Sequence, residues 1–105
     1  MQIEISTSES DDLVTVHPAG EVDGDTADRL GSALTDAVRR CRPGGAVEVD
    51  LSGVSFLDSS GVGALLTGHR SAETRAVDFQ VRDPQTMVRR VLEITNVWDL
   101  LTGHR

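Results

Sequence analysis

One stretch of the sequence, VEVDLSGVSFLDSSGVG at residues 47–63, constrains the fold more than any other. It begins with a short apolar run from Val47 to Leu51, which predicts a buried strand. A turn and then Asp58-Ser59-Ser60-Gly61 follow, and these four residues are typical of a helix start. The pattern therefore predicts a small hydroxyl where a strand passes into a helix. Unpaired backbone N–H groups and the positive end of the helix dipole meet there, so a bound or attached anion would be tolerated.

Composition restricts the class of protein. A chain of 105 residues is expected to form one domain, residues 1–105, around a single core. Its formal net charge of −7 argues against nucleic-acid binding, which needs a basic surface. The sequence contains no lysine for a Schiff base or a phosphate site, and no Cys or His pair has metal-ligand spacing. With no leader and no long apolar run, we expect a cytoplasmic protein without a membrane segment, metal or cofactor.

Hydrophobic periodicity predicts four strands and three helices. The strands are expected at Ile3 to Thr7, Leu13 to Val16, Val47 to Leu51 and Ala76 to Val81. The helices are expected from Ala27 to Cys41, from Ser60 to Ala72, and from Asp83-Pro84 to a left-handed turn at Asn96, with Asp83 as the N-cap. The apolar segment from Val97 to Leu101 fits either a strand or one helical turn.

This order predicts an α/β fold with a mixed sheet of about four strands. The first two strands form an antiparallel hairpin, the others run parallel, and the helices pack on the sheet. Pro18 is expected to end the second strand, Gly20 to Asp23 to form a loop, and Asp23 or Asp25 to cap the next helix. Loops at the C-terminal ends of parallel strands carry function. The loop at Gly20 to Asp23 and the turn at Asp58 to Gly61 both follow strands, so we expect them on the same side.

These segments resemble a known family. Asp50 to Gly63, together with Gly20-Glu21-Val22-Asp23 upstream, closely resembles the STAS domain of bacterial anti-sigma factor antagonists, and the resemblance covers nearly the whole chain. It implies a bacterial regulator of stress response or sporulation and not an enzyme. The partner it implies is an anti-sigma factor that is also a serine kinase of the GHKL type. The unphosphorylated antagonist binds that kinase and frees the sigma factor; phosphorylation ends binding, and a metal-dependent serine phosphatase restores it.

The resemblance also assigns roles to single residues. Ser59 matches the phosphorylated serine, and Asp23 and Asp58 match acidic residues near it. The implied partner-binding surface consists of Gly20, Glu21, Asp23, Asp58, Ser60 and Gly61. A phosphate would add about −1.5 to −2 charge beside these carboxylates. A closely docked partner would then meet added bulk and a buried, unmatched charge, and a loss of about 3 kcal/mol lowers affinity more than a hundredfold.

Other interpretations of the same residues remain open. Ser59 or Ser60 can simply cap the helix, and Ser60 or Thr67 can be a secondary phosphate acceptor. The same fold also suits a phosphorylation-independent STAS subunit of a scaffold or lipid-transport complex. A serine hydrolase using Ser59 is disfavoured because Gly-x-Ser-x-Gly is absent. The histidine it would need, His69, falls on the inner face of the helix about 15 Å further along, which predicts a partly buried packing residue.

Overall fold

The computed structural model describes residues 3–103 and has an α/β architecture. Its strands are β1 (Ile3–Ser10), β2 (Leu13–Val22), β3 (Ala46–Asp50), β4 (Val54–Leu57) and β5 (Asp78–Arg82). Its helices are α1 (Ala27–Arg40), α2 (Ser59–Thr74), α3 (Thr86–Ile94) and α4 (Trp98–Thr102). No helix within residues 3–103 combines the length and the apolar character needed to cross a membrane.

The five strands form one mixed sheet in the order β1-β2-β3-β5, with β4 also paired to β2. β1 and β2 are an antiparallel hairpin, whereas β3, β4 and β5 run parallel to their partners. β2 changes partner along its length, because residues 13–16 pair with β3 and residues 20–22 pair with β4. Pro18, which has no N–H to donate, lies between these two segments, so the strand accommodates a proline there. As a result, β2 and β4 end side by side.

The α/β class and the N-terminal hairpin are confirmed, but the sheet has five strands rather than about four. β4 was not predicted. The prediction that Pro18 ends the second strand is wrong, and so is the prediction of a loop at Gly20, because β2 continues to Val22. The physical reason is a pairing between distant segments. Val22 pairs with Leu57, and both side chains are buried. Burial and the backbone pairing between β2 and β4 therefore keep residues 20–22 extended.

One face of the sheet is apolar and is packed against α1 and α2. Alternate residues of β3 and β5 are buried on this face: Val47, Val49, Phe79 and Val81. They join the buried residues of α1, such as Leu34, in a single core. Gly68 lets α2 approach this core closely, because a Cβ there would lie only 3.0 Å from the Cβ of Leu34. A larger residue at position 68 would therefore push this part of α2 away from the core.

Helix α3 begins later than the sequence predicts. Asp83 is not its N-cap: the residue has a φ of 56°, and its carboxylate accepts a hydrogen bond from Arg82 Nη1 at 2.7 Å. Gln85 occupies the cap position instead, and its amide donates to the carbonyl of Ser52 at 2.9 Å. The left-handed turn at Asn96 is confirmed by a φ of 63°. The apolar segment after it forms the short helix α4 rather than a strand.

The other face of the sheet carries a hydrogen-bonded row of polar side chains. Ser8 Oγ lies 3.2 Å from His17 Nε2, and His17 Nδ1 lies 3.4 Å from Asp50 Oδ2. The backbone N–H of Ser52 donates to Asp50 Oδ1 at 3.0 Å. Burial raises the pKa of Asp50, but hydrogen bonds from Ser52 together with Arg82 and His17 outweigh burial and hold the pKa below its ordinary value of 3.8. The row therefore links three strands through one ionised carboxylate.

We expect Asp50→Asn to lower the free energy of unfolding by about 1 kcal/mol at pH 7. Because folding lowers the pKa of Asp50, the ionised carboxylate favours the folded state; this contribution is complete above pH 3.8 and is lost as the pH falls below it. Urea unfolding at pH 7 and at acidic pH measures the difference. Asp36→Asn is the control, since Asp36 makes only an exposed ion pair with Arg39. An Asp50→Asn effect that persists unchanged in acid would contradict this account.

Candidate functional site

Asp58 caps α2 and ties the helix to the end of β2. Its carboxylate Oδ1 accepts hydrogen bonds from the backbone N–H of Ser60 at 2.9 Å and of Gly61 at 3.2 Å. Its own N–H donates to the carbonyl of Val22 at 3.3 Å. A carboxylate suits this position, because it satisfies free N–H groups and lies at the positive end of the helix dipole. Capping by Ser59 or Ser60, which the sequence left open, is therefore wrong.

Ser59 is the first residue of α2, and its side chain is exposed. Since Asp58 supplies the cap, the hydroxyl of Ser59 is not needed to satisfy the helix end. A phosphate on this oxygen would lie at a helix N-terminus, which partly accommodates negative charge. Ser60 is exposed as well. Thr67 lies two turns further along the helix, where its hydroxyl donates to the carbonyl of Gly63 at 3.0 Å.

Gly61 allows the helix start to pack against the two strand ends. It is buried, and a Cβ at this position would clash with the side chain of Leu57 and lie 3.0 Å from Val22 Cγ1. The loop after β2 passes directly beside it, since a Cβ on Gly24 would lie 3.9 Å from Ser60 Oγ. The prediction that residues 20–23 and residues 58–61 lie on the same side is confirmed, although residues 20–22 belong to β2 and not to a loop.

Thr26 holds the loop between β2 and α1, and sequence reasoning missed it. Its side chain is buried, and its hydroxyl donates to the carbonyl of Glu21 at 2.8 Å and accepts from the N–H of Asp23 at 3.0 Å. Neither Asp23 nor Asp25 caps α1 as predicted; Thr26 occupies the cap position, and Asp23 Oδ1 accepts from the N–H of Asp25 at 2.9 Å. A threonine directly before the helix was the available signal, but its hydroxyl bonds backwards to the loop.

Gly20 and Glu21 lie in β2 beside β4 rather than in a loop. The pairing between β2 and β4 shifts register between these two residues, and Gly20 adopts a φ of 120° that only glycine takes readily. Its N–H donates to the carbonyl of Gly53 at 2.9 Å. Glu21 pairs with Phe56, whose side chain is 42% exposed. An acidic residue and an exposed aromatic residue therefore lie next to each other near the start of α2.

The two segments that form the site, residues 20–25 and 58–61, carry only acidic side chains as charged groups. Residues 20–25 contain Glu21, Asp23 and Asp25, residues 58–61 contain Asp58, and neither segment contains a basic residue. A further negative group at Ser59 would therefore be repelled by its neighbours while the helix N-terminus attracts it. The arrangement suits a surface whose charge can change without a change of fold.

The hydrolase interpretation has no support at Ser59. His69 is partly buried, as predicted: its side chain is 14% exposed, its ring lies edge-on to Phe79 with centroids 6.1 Å apart, and Nδ1 is 3.5 Å from Glu73 Oε1. The ring is thus engaged near the C-terminal end of α2. The serine–histidine–aspartate row of Ser8, His17 and Asp50 lies on the open sheet face described above, away from the start of α2.

Comparison with known proteins agrees with this geometry. A family model described as "Mlab, STAS domain" matches residues 5–102. The anti-sigma-B factor antagonist of Listeria monocytogenes is 30% identical over 102 residues, which cover 96% of this chain and 88% of the relative.

Solved structures share the fold. An anti-sigma factor antagonist from Mycobacterium paratuberculosis is 28% identical, with a TM-score of 0.75 over 96% of this chain and 83% of that one. The Bacillus cell fate determinant SpoIIAA in its phosphorylated form is 20% identical, with a TM-score of 0.66 over 94% of this chain and 88% of that one. The family match, the sheet order and the capped helix start agree, and the chain belongs to the STAS domain family.

Proposed function

We propose that this protein is an anti-sigma factor antagonist and that phosphorylation of Ser59 ends its binding to the anti-sigma factor. The observation that carries the proposal is the exposed hydroxyl of Ser59 at a helix start that Asp58 already caps. Relatives named anti-sigma factor antagonists support the first half of the proposal. A structural neighbour described as phosphorylated supports the second half.

The partner in this proposal is an anti-sigma factor that is also a serine kinase of the GHKL type. The unphosphorylated protein binds this kinase, and the sigma factor is released; a metal-dependent serine phosphatase later removes the phosphate. Both the sigma factor and its regulators act in the cytoplasm, which is where the proposal places this protein. The protein is then a substrate of its partner and performs no catalysis itself.

The binding surface surrounds Ser59. It comprises the end of β2, the loop that follows it and the first turn of α2, and its proposed residues are Gly20, Glu21, Asp23, Asp58, Ser60 and Gly61. Two of them act through the backbone, since Gly20 supports the register shift and Gly61 lets α2 approach the strands. The carboxylates and Ser60 are the groups that a partner would touch. Phosphate at Ser59 would add bulk and charge in the middle of this contact.

Incubation of the purified protein with its cognate kinase and ATP, followed by mass spectrometry of peptides, tests the proposed site. We expect one phosphate, located on Ser59, and none on the Ser59→Ala variant. Thr74→Ala is a matched control on the same helix, outside the proposed binding surface, and should be modified like wild type. Equal modification of Ser59→Ala, or a phosphate that maps to Ser60 or Thr67, would show that Ser59 is not the acceptor.

The alternative is a phosphorylation-independent STAS subunit of a scaffold or lipid-transport complex. It predicts tight binding to a protein that is not a kinase, and this binding would not respond to a charge at position 59. Affinity capture with wild type and Ser59→Asp side by side separates the two functions. Capture of the same non-kinase partner by both forms would favour the alternative.

A further inference from the structure

A groove of about 860 Å³ runs along the outer surface between α1 and α2. Residues of both helices line it, together with Gly24 from the loop before α1. Helix α1 has 14 residues and is therefore about 21 Å long. The lining residues run from Ala27 to Arg39 on α1 and from Ser60 to Arg70 on α2, so the α1–α2 groove offers a channel about as long as a three-turn helix.

One end of the α1–α2 groove opens at the proposed switch. Gly24 and Ser60 line this end, and a Cβ on Gly24 would lie 3.9 Å from Ser60 Oγ. Ser60 follows Ser59 directly. A partner that contacts the surface around Ser59 can therefore continue directly into the groove.

The fold does not explain the glycine at position 63, which lines the groove. A Cβ there would meet nothing within 4 Å, in contrast to Gly61 and Gly68, where a Cβ would meet packed side chains. Glycine inside a helix is less favourable than alanine by about 1 kcal/mol. Gly31, on the opposite wall, is similar, since its Cβ would only reach ordinary contact with Ala64 at 3.9 Å. Both positions leave room for another backbone to approach.

The far end of the groove carries two arginines and one aspartate, Asp36, whereas Asp28 lines the end nearer the switch. Arg39 and Arg70 line the far end, one from each helix, in a chain whose formal net charge is −7. Both side chains are exposed. Asp36 lies within 3.4 Å of Arg39, so Arg70 is the stronger candidate to receive an acidic group from outside. The groove therefore has a direction: the hydroxyl-bearing switch at one end and guanidinium groups at the other.

We infer that the α1–α2 groove receives a helix of the anti-sigma factor, with acidic side chains of that helix facing Arg70. The inference rests on the proposed function and identifies the part of the partner that this chain holds. A helix laid between two helices suits the length of the groove, and the two glycines allow its backbone to come close. The docked helix ends at Ser60, so phosphate on the adjacent Ser59 displaces it.

Binding and melting measurements on variants of the full chain test this inference, with the anti-sigma factor that wild type binds as the probe. Gly63→Leu fills the groove, and we expect an unchanged or higher melting temperature together with at least about tenfold weaker binding. Arg70→Glu should weaken binding by a similar factor. Arg75→Glu is the matched control: it makes the same charge change at the exposed C-cap of α2, outside the groove, and should bind within about threefold of wild type.

The outcomes separate the groove from the switch. If Gly63→Leu and Arg70→Glu bind like wild type while Ser59→Asp has lost binding, the groove is not the docking site, although the proposed function stands. Equal loss with Arg70→Glu and Arg75→Glu would mean that only overall charge matters, which also contradicts the inference. If wild type binds no anti-sigma factor, the proposed function and the groove fail together.

Discussion

Ser59→Asp is expected to weaken binding to the anti-sigma factor at least about tenfold, whereas Ser59→Ala should bind like wild type. The aspartate adds one negative charge beside Asp58 and the acidic loop after β2, in the middle of the proposed contact. A phosphate adds more charge and more bulk, so the phosphorylated protein should lose about 3 kcal/mol, more than a hundredfold. Isothermal titration calorimetry with the purified anti-sigma factor measures all three forms.

Ser10→Asp is the control for this prediction. It introduces the same charge at the last residue of β1, opposite Leu13 at the start of β2, and β2 separates this position from the switch by about 30 Å. The free energy of unfolding of Ser59→Asp should stay within about 0.5 kcal/mol of wild type, because an acid in the first helical turn is favourable. Equal weakening by Ser10→Asp would show a long-range charge effect and would remove the argument for a local switch.

Gly61→Ala is expected to lower the free energy of unfolding by about 1–3 kcal/mol. The added methyl group would have to fit between Leu57 and Val22, where the Cβ would lie 3.0 Å from Val22 Cγ1 and even closer to Leu57. Relief requires α2 to move away from the ends of β2 and β4, which also weakens the hydrogen bond between the Asp58 N–H and the Val22 carbonyl. Urea unfolding measures the change as a lower midpoint at constant slope.

Gly63→Ala provides the comparison, since it makes the same substitution one half-turn later on the same helix. A Cβ at position 63 meets nothing within 4 Å, so alanine should raise the free energy of unfolding by up to about 1 kcal/mol. The two variants should therefore move in opposite directions. If both variants are destabilised by similar amounts, the cost of Gly61→Ala comes from helix geometry and not from packing against Leu57 and Val22.

The start of α2 could be predicted because its signals are local. Val47 to Leu51 and Asp58 to Gly61 lie within one short stretch, and the buried strand and the position of the helix start each depend on neighbouring residues. β4 could not be predicted in the same way. It has only four residues, two of them exposed, and it is a strand because it pairs with the end of β2, more than 30 positions earlier. The extension of β2 beyond Pro18 depends on the same distant pairing.

The errors at caps have a different cause. At Asp58, Asp83 and Thr26, the sequence shows which side chain can accept or donate near a helix start but not which partner it chooses. Asp83 bonds to Arg82, and Thr26 bonds back to Glu21, so neither satisfies the helix that follows. Whether Ser59 is needed as a cap likewise depends on Asp58, whose carboxylate accepts from the N–H groups of Ser60 and Gly61. Competition among neighbouring polar groups is settled by geometry that a single sequence does not contain.

The division of labour between Asp58 and Ser59 affects how the domain can be used over time. The Asp58 carboxylate caps the helix, so the Ser59 hydroxyl oxygen is not needed for folding. It can gain or lose a substituent while the domain stays folded. A protein built in this way can be modified and restored at this oxygen many times without unfolding, and so without the degradation that repeated unfolding would cause.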